Sequence, residues 1–140
     1  MKRKTIKWIR DLKNKKKFSC LSAYTTSITK IIDRHIDVIL VGDSVGTAIY
    51  GMKNTQGVTL DMMILHGKTV YNSSKNAFTM IDMPFNTYRN KKEALINAKK
   101  LLKSTKCQAV KLETDNRTID IVKYLHDNNI IVISHIGVTP

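Results

Sequence analysis

Acidic residues are scarce in this sequence: 11 Asp and Glu stand against 24 Lys and Arg, and only two of the acids, Glu93 and Glu113, are glutamates. The resulting formal charge of +13 raises the question of nucleic acid, because clustered cations gain affinity by displacing phosphate counterions. The distribution argues against that use. The lysines spread through the N-terminal segment and over 90–105, with no RNA-binding aromatic signature and no zinc-ligand spacing. Cysteine is nearly absent as well, and the two present, Cys20 and Cys107, share no metal-ligand spacing. They lie in apolar stretches, which predicts reduced core thiols and excludes a disulfide framework. No apolar run approaches the roughly 20 residues needed to span a bilayer. The start, MKRKTIKWIRDLKNKKK, has too many lysines and no apolar core for a secretory signal, while Asp11 and the few Ser and Arg argue against a transit peptide. A cytoplasmic location is the expectation. No repeat or low-complexity segment appears.

What is present fits one domain over 1–140, opened by a basic leader over 1–17; a chain of this size buries roughly 70% of its unfolded surface. Apolar periodicity then alternates strand and helix. A strand is expected over 18–23, a helix over 27–35 and a β-branched strand over Val38–Val41. The glycines at 42, 46, 51 and 57 mark a long loop, after which Thr59 caps a helix reaching about Tyr71. A strand over 77–81 precedes the clearest helix, 91–105, whose Ala94, Leu95, Ala98, Leu101 and Leu102 share one stripe. Strand 109–113, helix 118–128 and strand 130–133 complete the pattern. Alternation of this kind predicts an α/β fold with a parallel sheet of about five strands and four intervening helices. The polar residues fall after the strands, where ligands bind in open α/β sheets and in (β/α)8 barrels alike.

Three strands end on an acid: Asp43, Asp82 and Glu113. Taken singly, each is explained as a helix cap or a partner of a lysine. If the strands are parallel neighbours, however, the three carboxylates meet on one face and repel unless a cation sits among them. A hard, oxygen-seeking ion such as Mg2+ suits such a set. Lys111 lies two residues before Glu113 and projects to the same side of the sheet. On an interior face it suits an anionic substrate; on an exterior or edge position it simply meets solvent.

The segments VILVGDSVG (38–46), VTLDMMILHGKTV (58–70), IDMPFNTY (81–88), AVKLE (109–113) and SHIGVTP (134–140) resemble, in order and approximate spacing, ketopantoate hydroxymethyltransferases. The resemblance extends from about Thr5 to Pro140 and implies the N-terminal part of a (β/α)8 TIM barrel. It implies transfer of a hydroxymethyl group from 5,10-methylenetetrahydrofolate to 3-methyl-2-oxobutanoate, giving ketopantoate for pantothenate and coenzyme A synthesis through a Mg2+-stabilised enolate. Carried over by motif, Asp43, Asp82 and Glu113 are the metal residues, and Asp43, Ser44, Asp82 and Lys111 hold the keto acid. His135 lies on the substrate side. Two departures appear: Thr25 follows Tyr24 where the family usually has an acid, and Thr55-Gln-Gly-Val-Thr59 lacks the usual leucine-proline.

The family's general base is a glutamate expected beyond Pro140, and Glu93, on the exposed side of its helix, cannot replace it. Three readings therefore stay open. The chain works with a separate C-terminal half or as a homo-oligomer; or it is an inactive remnant that binds Mg2+ and keto acid or only oligomerises; or it is a basic nucleic-acid binder.

Overall fold

From residue 3 to residue 137, the span that the computed structural model describes, helices and strands alternate after an N-terminal helix. The order is α1 (Ile6–Asp11), β1 (Cys20–Ser22), α2 (Thr26–Ile32), β2 (Val38–Val41), α3 (Val45–Ala48), a 3-10 turn (Thr55–Gly57), α4 (Leu60–Ser73), β3 (Phe78–Asp82), α5 (Lys91–Thr105), β4 (Ala109–Glu113), α6 (Ile119–Asp127) and β5 (Val132–His135). Val138, Thr139 and Pro140 of the last motif lie outside the described residues.

All five strands pair in parallel, in the order β1-β2-β3-β4-β5. A doubly wound sheet reverses its strand order at a switch point, whereas a (β/α)8 barrel adds each strand beside the last. The progression here never reverses, so the sheet is wound as part of a barrel.

Two apolar layers follow from the alternation of side chains. Ile39, Val41, Ile81, Val110 and Leu112 face the helices and pack with Met63, Val70, Ala98, Leu101 and Leu125. On the opposite face Val38, Phe78, Met80 and Ala109 cluster with Leu40, Ile131 and Ile133, and Ile6 and Ile9 of α1 pack against them. The basic leader thus contributes a helix that covers the amino-terminal end of this inner face. Its carboxyl-terminal end carries polar groups in register: Asp82 is the partner of Lys111, and Glu113 that of His135.

Local sequence explains the boundaries. Thr25, Thr59 and Asn90 accept hydrogen bonds from the N–H groups three residues on, capping α2, α4 and α5. Thr25 therefore does local work in the place where the resembling family has an acid. Several expectations shift. β1 is shorter than 18–23, and α2 ends at Ile32, followed by a turn over 33–35 that leads toward β2. The expected loop after β2 folds into α3 and the 3-10 turn, giving five helices between the strands instead of four. β5 begins two residues late, at Val132, and runs to His135. Cys20 is exposed while Cys107 is buried, so only one thiol belongs to the core; Cys20 lies on β1, which among the described residues is an outermost strand of the sheet. Among the described residues, no helix is long and apolar enough to cross a membrane.

Candidate active site

The site is built at the carboxyl ends of β2, β3 and β4. Asp82 and Glu113 are the last residues of β3 and β4, and Asp43 follows β2 in the turn that leads into α3. This turn is tight. A Cβ on Gly46 would lie 2.6 Å from Val58 Cγ2, so the 3-10 loop closes over α3 only because residue 46 has no side chain.

Lys111 Nζ donates to Asp82 Oδ1 at 2.8 Å and lies 3.6 Å from Glu113 Oε1. Asp82 Oδ2 accepts the Asp43 N–H at 3.0 Å. Both Lys111 and Asp82 are largely withdrawn from water, their side chains being 14% and 6% exposed, so they attract each other more strongly than a surface pair does, while the cost of withdrawing both charges from water offsets that gain. Lys111 therefore lies on the inner face, beside the acids. Burial nevertheless pushes Asp82 up to about 6, although Lys111 and the Asp43 N–H pull it down. Asp43 is likewise raised by burial, against the pull of Lys111. Desolvation draws Lys111 down, but the carboxylates of Asp82, Glu113 and Asp43 together carry it above the ordinary lysine value.

His135 Nδ1 and Glu113 Oε2 are 2.5 Å apart. That bond orients the imidazole, whose Nε2 makes no hydrogen bond among the described residues. Ser44 Oγ is 2.7 Å from Tyr24 Oη. Five of the six residues singled out by sequence thus gather at the strand ends: Asp43, Asp82, Lys111 and Glu113 in one charge network, with His135 attached through Glu113. Ser44 stands beside them through its neighbour Asp43. Glu93 is engaged elsewhere, its carboxylate paired with Arg89 at 2.8 Å.

Three neighbours escaped the sequence reading as site residues. Tyr24 holds Ser44, and the Thr55 hydroxyl draws the Asp43 carboxyl down against the effect of burial. Tyr88, pushed up to about 12 first by burial and further by the charges of Glu113, Asp43 and Asp82, lies beside the cluster. It lines, with Phe85, Arg117, Thr118 and Ile121, a cavity of about 230 Å3 that reaches Glu113. Tyr88 closes the IDMPFNTY segment, and Tyr24 and Thr55 stand in the two stretches that depart from the family pattern; neutral hydroxyls at such positions have too many structural uses to be picked out by type.

Among the described residues, no three His, Cys, Asp or Glu side chains converge as a metal-binding group; Lys111 lies between Asp82 and Glu113. Mg2+ does not require three protein ligands, since it keeps several waters and takes one or two carboxylates plus substrate oxygens. Asp43 and Asp82, hard-oxygen donors whose raised affinity for protons reflects poor solvation of their charge, fit that requirement. Glu113, with one oxygen on His135 and the other toward Lys111, fits beside such an ion.

Parallel strands added in sequence, with a charge cluster at their carboxyl ends, define the class as part of a (β/α) barrel, the cluster lying at the end of the strands where barrels of this kind bind ligands. A solved 2,3-dimethylmalate lyase, described as a member of the PEP mutase/isocitrate lyase superfamily, shares this fold with TM-score 0.65 and 16% identity over 89% of this chain and 50% of its own. The chain itself belongs to the ketopantoate hydroxymethyltransferase family, whose model matches residues 3–140. It is 50% identical to the 3-methyl-2-oxobutanoate hydroxymethyltransferase of Pelagibacter ubique (strain HTCC1062) over all of this chain and 54% of that protein. For the protein of the same name from Agrobacterium fabrum (strain C58 / ATCC 33970) the identity is 44%, over 99% of this chain and 50% of the relative. The chain thus spans about half the length of these curated relatives.

Proposed function

We propose that these strand ends bind 3-methyl-2-oxobutanoate together with Mg2+ and form the keto-acid half of a site that transfers a hydroxymethyl group from 5,10-methylenetetrahydrofolate, yielding ketopantoate for pantothenate synthesis. The observation that carries the proposal is the buried Lys111 ammonium set among Asp82, Glu113 and Asp43 on the inner face. A charged lysine in such a place suits an anionic ligand, and the surrounding carboxylates keep it charged.

Asp43 and Asp82 would hold Mg2+, with Glu113 beside it; when bound, the ion polarises the keto oxygen and disperses negative charge. The protein's own groups do the rest of the binding. Ser44 Oγ, held by Tyr24, offers a hydrogen bond to the substrate carboxylate. Lys111 Nζ supplies a fixed positive charge where the enolate charge develops, and because it is already oriented by Asp82 it needs no reorganisation at that moment. His135, oriented by Glu113, faces the same end of the sheet. The proton acceptor at C3 is assigned to the family's glutamate in the part of the relatives that this chain does not span. The donor approaches from the strand-end side, and the protein works in the cytoplasm as an oligomer or with the complementary half.

A steady-state assay with keto acid, methylenetetrahydrofolate and Mg2+ tests the proposal. Formation of ketopantoate by the chain, alone or with a complementary C-terminal half, is expected. No turnover in either arrangement overturns it.

A further inference from the structure

A second hydrogen-bonded chain runs from Tyr24 at the site to helix α4, through His66 and Tyr50, to which the proposed reaction gives no part. His66 Nδ1 lies 2.7 Å from the Tyr24 carbonyl oxygen, and His66 Nε2 lies 2.9 Å from Tyr50 Oη. A carbonyl only accepts, so Nδ1 carries a proton toward Tyr24. In the neutral ring Nε2 then accepts from Tyr50, whose ring meets the imidazole edge-on at 5.7 Å. Tyr24 is thereby held at both ends, by its carbonyl on α4 and by its hydroxyl on Ser44 Oγ at 2.7 Å.

Backbone pairing does not hold Tyr24. β1 ends at Ser22, and the last link to β2 is the Ala23 N–H on the Leu40 carbonyl at 3.0 Å. Beyond it the chain turns into α2, and where the Tyr24 ring points depends on what fixes its carbonyl. We propose that His66 is a positioning residue: it locks the Tyr24 backbone, and through the Tyr24 hydroxyl it orients the Ser44 hydroxyl at the keto-acid site, with Tyr50 holding the second nitrogen. A histidine suits this post because it presents a donor and an acceptor on opposite sides of one rigid ring. Loss of one such neutral hydrogen bond is worth roughly five- to tenfold in an equilibrium that depends on it.

The test compares His66→Leu, His66→Asn and each in a Tyr24→Phe background, all in the full chain. Asn keeps an N–H donor close to the position of Nδ1, so it serves as the conservative rescue. In 1H–15N spectra without ligand, His66→Leu is expected to move the Ser44 amide resonance, His66→Asn to restore it, and His66→Leu to leave it in place once Tyr24→Phe has removed the hydroxyl. A Ser44 resonance that does not respond to His66→Leu, or responds equally in both backgrounds, overturns the proposal. The binding arm rests on the proposed function: His66→Leu is expected to weaken 3-methyl-2-oxobutanoate binding about fivefold or more, and less than about twofold when Tyr24→Phe is present. Equal losses in both backgrounds would mark His66 as a structural link between α3 and α4 and overturn its positioning role. Absence of keto-acid binding by the unaltered chain would count against the proposed function alone, since the spectra judge the clamp independently.

Discussion

Replacing Lys111 with Met removes the only cation paired with Asp82 among the described residues, and the cost follows from how far that acid already is from its unfolded value. In the folded chain Asp82 sits at about 6 against 3.8 unfolded, which at 1.36 kcal/mol per unit is a penalty of about 3 kcal/mol at neutral pH. The sign is that of a raised carboxyl: stability is fully present below pH 3.8 and declines as the pH rises toward the folded value. The Lys111 ammonium, 2.8 Å away, contributes about 6 kcal/mol at an effective dielectric near 20. Without it Asp82 stays protonated beyond pH 8. A carboxyl kept neutral costs about 4 kcal/mol at pH 7 and about 6 at pH 8. Lys111→Met therefore loses almost nothing through Asp82 at pH 5, about 1 kcal/mol at pH 7 and about 3 kcal/mol at pH 8, since Met retains most of the stem packing. Urea unfolding at these pH values reads the difference, and the double variant Lys111→Met, Asp82→Asn is expected to lose the slope. A loss equal at pH 5 and pH 8, or a slope surviving in the double variant, would refute the coupling of the two groups.

Three further outcomes are expected. Asp33 is buried and accepts from Ser74 Oγ at 2.6 Å and the Ala77 N–H at 3.1 Å with one oxygen, and from the Lys75 and Asn76 N–H groups at 2.9 and 3.0 Å with the other. An amide would turn its own donors toward one of these pairs, so Asp33→Asn costs about 2–4 kcal/mol in denaturant melts at pH 7; a loss under about 1 kcal/mol contradicts that geometry. Desolvation opposes ionisation of Asp33, yet its hydrogen bonds hold it down to about 2, so about 2 kcal/mol of stability present above pH 4 disappears as the pH falls to 2, and a pH titration of the melting midpoint that shows no such loss in the parent argues otherwise. On the α4–α5 contact, a Cβ at Gly67 would stand 2.6 Å from Thr105 Cγ2 and 2.7 Å from Ile81 Cδ1. Gly67→Ala is expected to lower Tm, with overpacking of about 1–3 kcal/mol exceeding the helix-propensity gain of about 1 kcal/mol; an unchanged or higher Tm shows that the helices yield.

The alternation of strands and helices was legible because each long element carries its own period. α5 was found at its observed bounds, Lys91–Thr105, since an apolar stripe and an opposite lysine face agree. β1 was less legible: only three residues pair, and their side chains face solvent, so burial leaves no pattern to read. α3 was missed because Val45–Ala48 is a single turn held by the surrounding loop, too short for periodicity to register. Asp82, Lys111 and Glu113 could be placed on one face because alternation in β3 and β4 fixes which side each takes. Whether that face was interior required the α1 helix and the inner apolar cluster, which depend on contacts distant in sequence. The pairing of His135 with Glu113 depends on the β4–β5 register, and the Tyr24–Ser44 contact on the packing of two loops; neither is encoded locally.

The central claim is that the strand-end carboxylates and Lys111 build a Mg2+-dependent keto-acid site. Its most direct test is a calorimetric titration of 3-methyl-2-oxobutanoate into the protein with and without Mg2+, repeated for Asp82→Asn and Glu113→Gln. Binding that needs Mg2+ and weakens at least about tenfold in Asp82→Asn, the loss of one buried charge-assisted contact, is the predicted result. Affinity for both ligands left unchanged by the two substitutions would contradict the account.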